Sequence, residues 1–205
     1  MTPLPAYRLT SLTFFMCLLI ACGQNTQAVK EQKQINDPCD LETYLNDPKT
    51  PELAKKIFRK QNWNLNDFDV LNFLDSLDTN KPSRFFYFKV VTNSYSKADG
   101  YYSEGLGLFG KNFIEANTKK FTSYFDNKKC FTDQDLRDWA GITMLEIGLL
   151  ADNDYTDTLL TGYIKKLERN CSNCSQIQKA TLQKFIEHLK KEWTQFVKHA
   201  KEPYP

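Results

Sequence analysis

Apolar side chains recur at three- and four-residue spacing along most of the chain, the pattern of helices that bury one stripe and leave the other face in water. Leu41, Tyr44 and Leu45 predict one short helical turn. Thr50-Pro51-Glu52 is a start signal, with a hydroxyl to cap, proline at the first helical position and an acid in the first turn. Leu53, Ile57 and Phe58 follow it as one stripe. Asn66 or Asp67 opens a further helix through Val70, Leu71, Phe73, Leu74 and Leu77. Thr118 to Phe125 is a short helix carrying Phe121, Tyr124 and Phe125. Thr132-Asp133-Gln134-Asp135 starts a long one, with an acid three residues after the threonine in the manner of a capping box. Its buried face reads Leu136, Trp139, Ala140, Thr143, Met144, Ile147 and Leu150, and Asp152-Asn153-Asp154 breaks it. Leu159, Leu160, Tyr163, Ile164 and Leu167 mark the next helix. After Ser175, the seam Leu182, Phe185, Ile186, Leu189, Trp193, Phe196, Val197 and Ala200 marks the last, before Pro203 and Pro205.

The middle carries two patterns. Arg84 to Val91, RFFYFKVV, is rich in aromatic and β-branched residues, and Asp99-Gly100 is a turn signal, the elements of a β-hairpin. Against it, Pro82 sits at a helix start, and Leu106, Phe109, Phe113 and Ile114 recur at three and four rather than alternating. Both segments are therefore read as helical. Gly107 and Gly110 fall on one side of the second, where missing side chains admit a close neighbour. The stretch SEGLGLFGKN lacks both the G-x-G-x-x-G order and the G-K-[ST] ending of phosphate-binding loops. About eight helices joined by short turns predict an all-α, antiparallel multi-helix stack with no clear repeat period.

Composition adds little to this. Aromatics at 14%, with 8 glycines and 8 prolines, exclude a disordered chain and suit one packed domain. The 27 basic and 25 acidic residues nearly balance, so nothing argues for nucleic acid as a partner.

The stretch Arg8 to Cys22, RLTSLTFFMCLLIAC, changes the picture. Its apolar run is long enough for a signal core and well short of the ~20 residues that span a bilayer as a helix. It ends in Leu19-Ile20-Ala21-Cys22-Gly23, and here the chain resembles the signal peptides of bacterial lipoproteins, which close on a leucine, two small or apolar residues and a cysteine. The resemblance implies a diacylglyceryl group on the sulfur of Cys22, cleavage between Ala21 and Cys22, and acylation of the new amino terminus. Two or three acyl chains, at about 0.8 kcal/mol per buried CH₂, suffice for lasting attachment to a membrane. In that family an aspartate after the lipidated cysteine goes with inner-membrane retention. Gly23 stands there instead, which implies the outer membrane, and the lack of an acidic run after Cys22 favours the periplasmic face. The expected organisation is a cleaved signal over 1–21, a lipidated polar tether over 22–35 and one helical domain over 36–205, entered through the turn Asn36-Asp37-Pro38-Cys39-Asp40.

Cysteine usage agrees with export. Cys17 leaves with the signal and Cys22 carries lipid, so Cys39, Cys130, Cys171 and Cys174 remain, an even set that reads as two disulfides. The expected pairs are Cys171 with Cys174 and Cys39 with Cys130. The second would close a long loop and stabilise by roughly 4 kcal/mol on the chain-entropy estimate. The C-x-x-C spacing is also open to a redox couple or, less readily, a metal site. Cys171 to Trp193 further looks like the later half of insect chemosensory proteins, helical carriers of apolar ligands. The earlier cysteines of that family lie close upstream, unlike Cys130 and Cys39, so only a structural role for the pair carries over.

Catalytic candidates are few. His188 and His199 stand eleven residues apart on the last helix with Glu192 and Gln195 between them, a stripe open to metal binding but read as the solvated polar flank of the seam. Glu104 and Glu146 lie among apolar neighbours and are candidates for buried carboxylates. No HExxH or GxSxG arrangement occurs, and neither metal nor cofactor is expected. The leading expectation is a protein-binding module held to the membrane through acyl chains on Cys22, in one version an immunity-type inhibitor of a secreted antibacterial toxin. A carrier of an apolar molecule or lipid, and a thiol-disulfide enzyme using Cys171 and Cys174, are the alternatives.

Overall fold

A computed structural model describes residues 41–63, 67–77, 82–126, 130–151 and 155–201, with backbone alone for 67–69. All of them belong to the unit Ile35–Pro205. The expected signal, tether and entry turn, with Cys22 and Cys39, lie outside these residues, as do Asn66, the breaker 152–154 and Pro203 and Pro205.

The described residues form nine α-helices and no strand. The two short helices α1 (Glu42–Asn46) and α2 (Glu52–Phe58) precede α3 (Asp67–Asp75), α4 (Arg84–Ser94) and a 3-10 turn over Tyr95–Lys97. Then come α5 (Gly100–Ala116), α6 (Thr118–Tyr124), α7 (Asp133–Ala151), α8 (Thr158–Asn170) and α9 (Gln176–Lys201). Helix α2 starts one residue later than Pro51, and its N-terminus carries no side-chain cap.

Segment RFFYFKVV is helical despite its β-favouring residues because it is wrapped on nearly every side. Phe86, Phe88, Val90 and Val91 are fully buried, and tertiary packing overrides propensity. Phe88 stacks on Trp139 of α7 with centroids 4.5 Å apart and planes 10° from parallel, and the rings of Phe121, Tyr124 and Phe131 enclose it. The Trp139 Nε1–H donates to Thr92 Oγ1 at 2.8 Å, and that hydroxyl donates to the Phe88 carbonyl at 2.7 Å. Every polar atom of this relay is thus satisfied inside the core.

Helix α7 is the axis of the bundle, packed against α5 on one side and α9 on another. Helices α5 and α7 run antiparallel, with Gly107 opposite Leu145 and Gly110 opposite Ile142. A methyl on Gly107 would stand 2.8 Å from Leu145 Cβ and 2.9 Å from the Glu146 nitrogen, so the expected close approach is realised here. Helix α8 runs the same way as α5. Tyr163 Oη donates to the Lys111 carbonyl at 3.2 Å and Asn170 Nδ2 to the Glu115 carbonyl at 2.7 Å. Trp193 Nε1 donates to Asp157 Oδ1 at 2.6 Å, pinning the start of α8 to α9.

Two helices start on reciprocal caps. At α7, Thr132 N donates to Asp135 Oδ2 at 2.8 Å, and Asp135 N donates to Thr132 Oγ1 at 3.2 Å. At α9, Ser175 N donates to Gln178 Oε1 at 3.0 Å, and Gln178 N donates to Ser175 Oγ at 3.2 Å. The buried seams otherwise fall where the spacing placed them, except at helix ends. Leu150, Leu159 and Ala200 are exposed: Leu150 and Leu159 sit beside the buried Ala151 and Leu160 at the uncovered edge of their stripes, and Ala200 lies in the exposed last turn of α9. No helix among the described residues is long and apolar enough to cross a membrane.

Candidate functional site

Cys171 and Cys174 are joined by a disulfide. Cys171 caps the C-terminus of α8 through bonds from its N–H to the Leu167 and Glu168 carbonyls at 3.0 and 3.2 Å, and Cys174 lies just before α9. Both are buried, so the bridge sets the turn between two helices and presents no open sulfur to a partner thiol. Cys130 is disulfide-bonded; its expected partner, Cys39, lies outside the described residues.

The structure separates the two histidines. His188 is buried and its Nε2 stands 3.5 Å from Asp133 Oδ1 across to α7. Burial pushes the Asp133 carboxyl up, but His188, Lys184 and Arg137 outweigh it and hold the group below the usual carboxylate range. His199 is exposed, with Nδ1 2.8 Å from the Gln195 carbonyl. Among the described residues no group of three or more His, Cys, Asp or Glu side chains could hold a metal ion. The expectation of buried carboxylates at Glu104 and Glu146 is corrected. Glu104 is exposed and Glu146 half-exposed, since Tyr101, Glu104 and Leu108 form the outward face of α5. Among the described residues the buried carboxylate is Asp135, at 5% exposure.

Glu192, Gln195 and His199 do come together, in a cleft of about 420 Å³ between α7 and α9. Gly141, Met144, Leu145, Gly148 and Leu149 supply the α7 side, and Phe196 completes the α9 side. Tyr95, in the 3-10 turn after α4, closes one end. Glycine is what lets the walls approach. A methyl on Gly141 would overlap the Tyr95 phenol, and one on Gly148 would meet the Phe196 ring at 3.0 Å. Burial pushes the Tyr95 pKa up, and the charges of Glu192 and Asp138 push the same way, so the phenol stays neutral and can donate a hydrogen bond. The cleft thus joins two aromatic rings, aliphatic side chains and a half-buried carboxylate. Leu149, 57% exposed, carries the apolar surface outward from it.

A larger groove of about 530 Å³ lies between the starts of α7 and α9, with Ile177 65% exposed beside Phe125 and Phe131. Its charged residues, Asp126, Asp133 and Lys184, are exposed and of mixed sign, so they select no particular charge. The α7/α9 cleft is the more discriminating site. Sequence reading found its α9 half as a polar stripe and missed Tyr95, Gly141 and Gly148. The seven-residue spacing of the two glycines, which puts them on one helical face, was the available signal.

No protein-family model matches the chain, and neither a curated protein nor a solved structure matches it.

Proposed function

We propose that the chain is a lipoprotein of the bacterial envelope, held by acyl chains on Cys22 at the periplasmic face of the outer membrane, and that it works as a protein-binding module. The docking face is the α7/α9 cleft with Leu149 at its edge. The observation that carries this reading is the pairing of a concave, largely apolar site with a leucine left exposed at its rim, on a helix packed into the core. Such a combination is typical of interface cores, which bury aromatic and aliphatic anchors inside a polar rim. An immunity-type inhibitor of a secreted toxin is the version in which the docked partner is an enzyme whose site the helical body occludes.

The other two readings have less support. The aromatic side chains that suggested an apolar-ligand carrier pack on one another around Phe88, leaving those rings no ligand to line. The Cys171–Cys174 bridge is buried at a helix junction, where a thiol-exchange couple would need access.

The test is complementation. Cells lacking the protein are challenged with toxins secreted by competing bacteria and supplied with the wild type, with Leu149→Asp or with Cys22→Ser. Protection by the wild type alone, with the Cys22→Ser protein lost from the membrane fraction, supports the reading. Equal protection by all three, or none by the wild type, overturns it.

A further inference from the structure

The chemistry of the cleft narrows what it accepts. We propose that it receives a cationic side chain, a lysine or arginine presented by the docked protein; this rests on the docking reading above. Glu192 is the one carboxylate among the described lining residues, and none of these is a lysine or arginine. Lys191 and Lys198, its neighbours along α9, are exposed and are not among the lining residues. Glu192 is half-buried and makes no ion pair among the described residues. Its field reaches Tyr95, as does that of Asp138, so the closed end of the cleft is electronegative.

The walls suit the rest of such a side chain. Lysine and arginine carry an apolar stem beneath a charged head, and Met144, Leu145 and Leu149 offer an apolar track leading to Glu192. The rings of Tyr95 and Phe196 border the same space, and aromatic faces attract cations, more so where water is thinned. Arginine gains additionally from a planar head that can stack on a ring while donating to a carboxylate. An acidic or purely apolar anchor would leave the Glu192 carboxylate repelled or stripped of water without a partner.

The probes are N-acetyl-arginine methylamide and N-acetyl-lysine methylamide, with N-acetyl-norleucine methylamide as the uncharged stem, titrated into the mature lipidated protein in detergent micelles. Amide shifts of Gly141 and Gly148 report on the cleft. Ligands of this size reach millimolar affinity at best, so titration runs to about 50 mM. The expected result is saturable shifts with the charged probes, at least about fivefold weaker with norleucine. Glu192→Gln should weaken the charged probes by a similar factor, leave norleucine unchanged and abolish the salt dependence. Equal binding of all three probes, indifference to Glu192→Gln, or no saturable shift overturns cation recognition. A docking face of another chemistry would still fail to protect as Leu149→Asp, whereas loss of the docking reading would show as protection by that variant whatever the probes do.

Discussion

Lys89 of α4 reaches both carboxylate oxygens of Asp135 on α7, at 2.7 and 2.6 Å. Asp135 is buried and also accepts from the Thr132 hydroxyl at 3.1 Å and from the Thr132 N–H of the cap. One carboxylate therefore starts α7 and ties it to the aromatic core. Lys89→Met leaves that carboxylate buried without its cation, which costs about 3–5 kcal/mol when a buried pair is broken. Urea unfolding should show a loss near the lower end, because the Thr132 donors remain. Asp135→Asn added to Lys89→Met should recover part of it, and a single-variant loss below about 1 kcal/mol would contradict the role.

Glycine substitutions separate packing from propensity. Alanine is the better helix former by about 1 kcal/mol, and at Gly162 of α8 an added methyl meets nothing within 4 Å. Gly162→Ala should therefore stabilise by up to that amount. Gly107→Ala places the same methyl 2.9 Å from the Glu146 backbone nitrogen, where only movement of α7 against α5 relieves it. A net loss of about 1–3 kcal/mol is expected, with thermal melting of the two variants shifting in opposite directions.

Asp138 supplies a pH-dependent contrast. Burial raises its pKa above 3.8, and the neighbouring Asp135 charge adds to this, outweighing the Gln134 hydrogen bond and the charges of Lys60 and Lys89. The ionised form is thus disfavoured in the folded state, the opposite of a salt-bridged acid, and ionisation of Asp138 weakens the fold as pH rises through its unfolded value. Asp138→Asn should be the more stable protein at pH 7. Solvent screening at a half-exposed position keeps the gain below about 1 kcal/mol. The advantage should shrink on acidification and vanish below the unfolded value of 3.8. Paired denaturation series from pH 7 to 3 check the sign.

Arg84 is 3% exposed, its guanidinium 5.0 Å from the centroid of the Phe113 ring, and its Nε and Nη2 have no hydrogen-bond partner among the described residues. Beside it, burial pushes the Tyr124 phenol up to about 12 against the pull of that charge. A buried cation without a counterion is unfavourable, and apolar replacement of buried charges stabilises by about 1–4 kcal/mol where packing is kept. Arg84→Met should accordingly match or exceed the wild type in urea, and a loss greater than about 1 kcal/mol would show that the Phe113 contact outweighs desolvation.

The fold was readable where local chemistry and burial agree. The Thr132–Asp135 cap, the glycine face of α5 and the seams around Trp139 and Phe185 all follow from spacing. Periodicity says which face turns inward but not how wide an arc of it a neighbour covers, so Leu150, at the edge of its stripe, and Ala200, in the exposed last turn of α9, were assigned to a core that does not reach them. Glu104 was misread for a related reason: apolar neighbours in sequence lie on both faces of α5, and Leu108 points out with it. The cleft was half legible. Glu192, Gln195 and His199 share a helical face, but their partner Tyr95 sits in a 3-10 turn distant in sequence, and only the packing of that turn against Gly141 of α7 brings it there.

The most direct measurement of the docking face is site-specific photo-cross-linking in intact envelopes, with the reactive side chain at position 149 or, as control, at position 177 in the other apolar groove. The expected result is a protein adduct from position 149 alone, lost with Glu192→Lys, whose identified partner binds the purified wild type and not Leu149→Asp. Adducts from position 177 with none from 149, or adducts indifferent to Glu192→Lys, would contradict a docking site between α7 and α9.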